Sequence, residues 1–325
     1  MQAPMRLAAA LLLGVLGIHP ASAQADTVFV TNELDDTVSV VDGEALKVVD
    51  TIAVGRRPRG IEASPDGRRI YVALGDDDRF DVIDVASRKV VDTLPSGPDP
   101  ERFAVSPDGA RLYVANENDN VVTMLDIAAK KIVGEAQVGI EPEGMAVSPD
   151  GKTLVCTSET TSMAHFIDPR TGELGDNILV DTRPRVARFT PDARQVWVSS
   201  ELRGSLTVLD STSHDTVRRI DFAAPGVPQE LIQAVGIMIT RDHKRAFVAL
   251  GPSARVAEVD AQTYKVLHYH LVGQRVWNLA FSPDERRLYT TNGNSNDISV
   301  LDLDADRVVK SLGVGRAPWG VVAVP

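Results

Sequence analysis

The chain is one phrase repeated at a fixed interval, and that interval limits its fold more than any other feature. A short run rich in Val, Ile and Tyr begins at Val28, Ile70, Leu112, Leu154, Val196, Ala246 and Leu288. The spacing is 42 residues, except for one step of 50. A second landmark, an aspartate closing the next run, falls at Asp42, Asp84, Asp126, Asp168, Asp210, Asp260 and Asp302 and keeps the same rhythm. Two landmarks sharing one period mark seven copies of a structural unit. Each copy concentrates β-branched and aromatic residues in short runs separated by turn residues, which is the pattern of strands. Short β runs recurring every ~40–45 residues predict the blades of a β-propeller.

Each copy holds four such runs, and none reads as a helix. In the copy that opens at Gly139 the strands are expected at residues 144–147, 154–158, 163–167 and 177–180. The turn Pro149-Asp150-Gly151 suits a tight reversal, because Pro presets φ and Gly accepts the conformation other side chains resist. The first run of the chain corresponds to a second strand, and the last copy stops after its first strand. Residues 319–324 are therefore expected to complete a blade whose other three strands are N-terminal, which closes the ring and removes two open sheet edges. The prediction is an all-β, seven-bladed propeller with four-stranded blades, one domain over residues 24–325 with no linker. The longer step places eight extra residues between Ala223 and Ala234, where two Pro and one Gly predict an ordered loop.

Residues 1–23 stand apart from the repeats. Arg6, an apolar run over residues 7–18 and the small residues Ala21-Ser22-Ala23 have the layout of a cleaved secretory signal peptide, which predicts a periplasmic protein. The run is too short to span a bilayer well, and no later stretch is long and apolar enough. The net charge of −11 argues against a general nucleic-acid or anionic-membrane binder. The one cysteine, Cys156, has no intrachain partner and sits in an alternating apolar pattern, so a buried, inert thiol is expected. No CxxCH haem attachment motif occurs, and no cofactor is evident.

Function in a propeller gathers where loops from every blade converge: the loops leading from an outer strand to the next inner strand share one face with those joining second to third strands. Aligning the inner strands separates positions that repeat from positions that do not. Gly60, Gly144, Gly236 and Gly320 share a column with Arg102, Val186 and Asn278. Gly there fits a crowded axis. The preceding column reads Arg59, Glu101, Glu143, Arg185, Val235, Trp277 and Trp319, and is expected to ring the channel mouth. Arg102 adds a third cation, and Glu62 and Arg188 are expected deeper. Two readings stand open. Arg donors and Trp faces suit a small, flat, anionic or carboxylated ligand; alternatively the charges pair with one another around a water-filled channel. The acidic loops on this face, including Asp76-Asp77-Asp78, offer oxygens for Ca²⁺ or serve as solvated turns. His268 and His270 share one side of an outer strand, with no third metal ligand evident. No metal site or catalytic triad is expected, and GxSxG and phosphate-binding loops are absent.

The strand sequences RIYVAL, RLYVAN and VFVTNE, the last followed by DTVSVVD, resemble the YVTN family of β-propeller repeats. The arrangement also resembles exported propellers associated with pyrroloquinoline quinone (PQQ)-dependent catabolism. That resemblance implies seven blades, export and an accessory, non-enzymatic role beside alcohol oxidation, with a periplasmic quinoprotein dehydrogenase or its cytochrome as partner. It supplies no catalytic residues. The alternatives are a lactonase-like hydrolase or an oxidoreductase, and a cell-envelope interaction module. PQQ-dependent dehydrogenases carry a docking Trp after a turn like Asp168-Pro169-Arg170-Thr171-Gly172, and that Trp is absent. Propeller lactonases use acid, His and Arg; Glu143, Arg185 and Arg59 are the possible partners here, without a His.

Overall fold

A computed structural model describes residues 26–325. The leader segment expected at residues 1–23 lies outside the described residues. The described chain forms seven four-stranded antiparallel sheets. Blade 1 is assembled from both ends, in the order Pro318–Val324, Thr27–Asn32, Thr37–Asp42, Lys47–Ala53. The seam pairs Thr27 with Val324, Val28 with Ala323 and Phe29 with Val322. Inner strands of blades 2 to 7 are Pro58–Ala63, Pro100–Val105, Pro142–Val147, Pro184–Phe189, Ile237–Ile239 and Val276–Phe281. The predicted ring closure and blade count are what the structure has. Helix among the described residues is limited to single 3₁₀ turns at Glu117–Asp119 and Gln229–Leu231.

Blade 4 shows how far the pattern carries. Its second and third strands, Leu154–Ser158 and Met163–Ile167, fall where expected. Its outer strand is Leu174–Leu179, starting three residues before the expected position. Outer strands face solvent along most of their length, so their apolar alternation is weak. A register shift between His165 and Ile167 blurs it further.

Second and third strands supply the core. Phe29, Val38, Val40 and Ile52 of blade 1 pack against Ile61, Ile70, Val72 and Leu74 of blade 2. Between blades 7 and 1, Val28, Val30 and Val41 meet Tyr289, Ile298 and Val300 of blade 7. Apolar burial therefore lies between blades, and no blade can keep its core without its neighbours. Cys156 is buried in this core, as expected, and burial pushes its thiol pKa up.

The crowding inferred for the Gly column is real. A Cβ on Gly60 would lie 2.4 Å from the Glu101 carbonyl oxygen, and one on Gly144 2.5 Å from that of Arg185. Hydroxyls from second strands grip other carbonyls of the preceding column: Thr31 Oγ1 donates to Arg59 O at 2.8 Å, Ser199 Oγ to Val235 O at 2.6 Å and Thr291 Oγ1 to Trp319 O at 2.7 Å. Asn278 donates to Trp319 O as well, at 2.7 Å. Arg59, Val235 and Trp319 are thus held by the preceding blade. The insertion is an ordered loop, as expected: Phe222, Ala224, Ile232 and Ala234 bury into the interface between blades 5 and 6.

Candidate functional site

The loop geometry confirms which loops share a face. Within a blade, the residue after the second strand donates its N–H to the loop before the inner strand: Glu117 to Asp99 O at 3.1 Å, Glu159 to Glu141 O at 2.9 Å and Glu201 to Arg183 O at 2.8 Å. The aligned column Arg59, Glu101, Glu143, Arg185, Val235, Trp277 and Trp319 comes together at this mouth. Arg59, Glu143, Arg185, Trp277 and Trp319 line a cavity of about 400 Å³. Glu101 and Val235 are buried beside it.

Arg102 is placed differently from expectation. It is not part of the mouth cavity's wall but lines a second cavity of about 190 Å³ deeper in the channel, with Glu62 and Arg188. Its column is the one where most blades have Gly, close to the axis. The long side chain crosses the channel from blade 3 and donates to Asn278 of blade 7. Its guanidinium lies 4.6 Å from the Trp319 ring centroid. Trp319 borders both cavities, so the Arg102–Trp319 stack divides them.

A second tier of charge surrounds the ring. Arg59 reaches Glu33 at 2.8 Å and also Glu101. Arg185 lies 3.0 Å from Glu143 and pairs with Glu159. Arg183 bridges Glu159 at 2.9 Å and Glu201 at 3.1 Å, and Arg275 meets Glu201 at 2.9 Å. Arg57 pairs with Asp99. Arg275 also covers the Trp277 ring at 4.1 Å. The sequence reading of a mouth with three cations is therefore incomplete. The mouth is a network of interleaved guanidiniums and carboxylates, and the second of the two open readings, mutual pairing, describes its resting state.

Pairing does not satisfy every atom. Glu101 Oε2 and Arg185 Nε are buried without a hydrogen-bond partner, as is Arg102 Nε below them, and Glu143 Oε1 has an ion-pair contact with Arg185 at 3.0 Å. Burial dominates the titration of Glu143, Glu101 and Arg102, whereas the carboxylates around Arg185 raise its pKa against desolvation. Burial raises the Glu143 and Glu101 pKa values despite Arg185 and Arg59. Glu159 is pushed up to about 7 by burial, with Glu143 and Glu201 adding to it against the pull of Arg185 and Arg183. Arg102 is pushed down to about 10 by the same desolvation.

Arg57, Arg183, Arg275, Glu159 and Glu201 were not singled out in the sequence. The same alignment finds them two columns outward and at the residue after each second strand, where charge also varies from blade to blade. Arg57, Asp99, Arg183 and Arg275 occupy the left-handed region, with φ of 54°, 51°, 60° and 58°. Of the acidic loops, Asp77 binds Arg56 at 2.8 Å and Asp76 binds Arg57 at 2.9 Å. Asp78 accepts the Asp99 N–H at 2.9 Å, so these are turn and ion-pair groups. Three carboxylates do converge at Asp99, Glu101 and Glu117, with Arg57 and Arg59 among them. No described histidine lines the mouth cavity. His165 is buried in the blade 4 sheet, where its Nε2 accepts the Gly139 N–H at 3.0 Å. One expectation is corrected: His270 does have further candidate ligands beside it, Glu258 and Asp306.

The model of the family "Lactonase, 7-bladed beta-propeller" matches residues 85–179, a stretch that carries Glu101, Arg102, Glu143 and Glu159. No curated protein matches the chain. Among solved structures it is similar to Kuenenia stuttgartiensis hydrazine synthase, with a TM-score of 0.77 and 21% identity over 85% of this chain and 92% of that one. A functionally unknown protein from Desulfotomaculum acetoxidans gives a TM-score of 0.77 at 15% identity, covering 91% and 98%. Dihydro-heme d1 dehydrogenase NirN in complex with DHE gives 0.69 at 18% identity, covering 94% and 78%. At these identities the likeness is one of fold.

Proposed function

We propose that this is a non-enzymatic binding propeller that takes one small ligand at its mouth and serves PQQ-dependent alcohol oxidation in the periplasm. The mouth supports the binding half of this reading. Trp277 and Trp319 stand on neighbouring inner strands beside a cavity of about 400 Å³, a volume suited to a molecule of one or two rings. The carrying observation is a pair of unsatisfied atoms: Glu101 Oε2 lacks a donor, while Arg185 Nε lacks an acceptor. Buried polar atoms left in this way favour a ligand that completes them. A ring-shaped hydroxycarboxylate fits: a hydroxyl donates to Glu101, the carboxylate accepts from Arg185, and the ring face lies on tryptophan. The accessory role rests on the strand-sequence resemblance and the leader-like residues 1–23.

The test is a thermal-shift screen of the purified protein with PQQ, lactones and small hydroxy acids. A hit that disappears in Trp319→Ala supports the site; a hit unaffected by Trp319→Ala and Trp277→Ala removes it. Copurification with a quinoprotein dehydrogenase or its cytochrome tests the role, and unaltered growth on alcohols after gene deletion refutes it.

A second reading is favoured by one observation. Glu159, with its pKa pushed up to about 7 beside Arg185, has the properties of a general acid–base at neutral pH. Together with the lactonase-model match this supports a lactone hydrolase in which Glu159 deprotonates water and Arg185 stabilises the developing oxyanion. Turnover of a lactone that vanishes in Glu159→Gln, with the fold intact, would establish it in place of the first.

A further inference from the structure

On the rim, far from the mouth, one blade interface breaks the apolar rule. The third-strand position held by Val40, Met124 and Val300 is apolar in every other blade, but in blade 6 it is Glu258. The outer-strand position held by Ile52, Leu94 and Ile220 is likewise apolar elsewhere, but in blade 6 it is His270. Both replacements stay buried, with 7% and 4% exposure. These two positions meet a turn of the following blade. Between blades 7 and 1 that turn offers Leu46, which packs into the Val300 cluster, and between blades 4 and 5 it offers His214, stacked 3.7 Å from Phe166. At the blade 6–7 interface it offers Asp306.

Two apolar contacts have thus been exchanged together for an acid and a histidine, and the facing turn position, which reads Leu46, Arg88, Lys130, Gly172, His214 and Tyr264 in the other blades, is here an aspartate. Burying a carboxylate and an imidazole in a blade interface is costly unless something compensates both. His270 Nε2 lies 3.2 Å from Glu258 Oε2 and 3.6 Å from Asp306 Oδ1. One ring nitrogen carries at most one proton, so it can donate fully to only one of the two carboxylates. A cation serves both. The spacings match the edges of a tetrahedron, roughly 3.3–3.4 Å when metal–ligand bonds are ~2.0–2.1 Å. Glu258 is prepared for this, because Arg245 holds its other oxygen, Oε1, at 3.5 Å and leaves Oε2 facing His270. His268 pairs directly with Glu258 in the sheet and its ring lies 4.5 Å from that of His270. The three ligand atoms lie within 4.8 Å of one another, which leaves the fourth position of a tetrahedron to a water.

We propose that Glu258, His270 and Asp306 form a binding site for a divalent first-row transition ion of the Zn²⁺ type, which clips blade 6 to blade 7. One imidazole with two carboxylates is a donor set that such ions accept readily. The site joins two neighbouring blades of a ring that has no disulfide, since Cys156 is the only cysteine.

The test uses untagged protein, stripped with chelator and titrated with Zn²⁺ by calorimetry and with Co²⁺ by visible absorption. The expected result is one ion per chain, a tetrahedral Co²⁺ spectrum and a higher Tm with Zn²⁺. Glu258→Val combined with His270→Leu restores the pair found in other blades. That variant is expected to fold, to lose Co²⁺ binding and to show no Zn²⁺-dependent Tm shift. Asp306→Asn changes an exposed side chain, so folding is not at risk. It is expected to weaken binding by roughly tenfold or more, since even outer-sphere partners cost about that much. No Zn²⁺ or Co²⁺ binding by the native protein, or binding unchanged in the double variant and in Asp306→Asn, overturns the proposal and leaves an ion-pair clip only.

Discussion

The two ends of the channel use the same repeat in opposite ways. On the turn face nearly every blade does the same thing. Ser64, Ser106, Ser148, Thr190, Thr240 and Ser282 each donate to the aspartate two residues on, at 2.6 to 2.7 Å. At the mouth, aligned positions carry Arg, Glu, Val or Trp, and each makes a different contact. The turn face is six nearly independent copies of one local structure. The mouth is a single structure to which all blades contribute, so a change there is felt across the ring.

This difference sets the sizes of effect. The largest is expected from Arg185→Met, because Glu143, Glu159 and Glu201 would lose their shared cation while still buried. Removing one partner from a buried ion pair costs about 3–5 kcal/mol. The loss should be greatest above pH 7 and shrink toward pH 5. Glu159 shows why: its folded pKa, about 7, lies above the ordinary 4.5, so its charged form is the destabilised one. That penalty is absent below about 4.5 and complete above about 7. Denaturant unfolding at pH 8 and pH 5 reads both arms, and an equal loss at the two pH values would show that the carboxylates do not act as a buried cluster.

A pair of glycines tests the comparison next. Gly144→Ala would drive a Cβ to 2.5 Å from the Arg185 carbonyl oxygen, which is neighbouring backbone and cannot step aside. A loss of about 3 kcal/mol is expected, at the upper end of overpacking costs. Gly67→Ala meets nothing nearer than Pro325 Cδ at 3.9 Å, and only its φ of 68° resists the change. About 1–2 kcal/mol is expected from that strain. Ala193, His243 and Glu285 already occupy the equivalent turn position, with φ of 59°, 55° and 56°. Comparable midpoints for the two variants in urea would contradict the difference drawn here.

Legibility in the sequence followed the same division. Blade number, seam and turns could be read because each depends on residues that every copy shares. The mouth ring could be located, because an alignment exposes the column that fails to repeat. What lies in the second tier could not be weighed, because Arg57, Arg183 and Arg275 act through partners in other blades. Column position alone puts Arg102 near the mouth; its reach across the channel to Asn278 depends on the diameter of the ring. Glu258 is hard to read for a different reason. The two histidines drew attention to an outer strand, whereas the informative signal was an acid in a third-strand column that is apolar in all other blades.

The smallest expected effect sharpens the comparison most. Ser148 Oγ donates to Asp150 and accepts the N–H groups of Lys152 and Thr153 at 3.1 and 3.0 Å. Ser282 makes the equivalent bond to Asp284 at 2.6 Å and accepts from Arg287 at 2.9 Å. Alanine at either site removes one local network and leaves donors that water can reach, so each change should cost about 1 kcal/mol. Because the two turns sit in different blades and share no partner, the double variant should lose the sum within ~0.5 kcal/mol. Mouth variants should not behave this way: Arg185→Met and Glu159→Gln share a contact, and in combination they should cost less than the two single losses added. Additivity at the mouth, or its failure between the two turns, would mean that the two ends of the channel do not differ in the way their contacts imply.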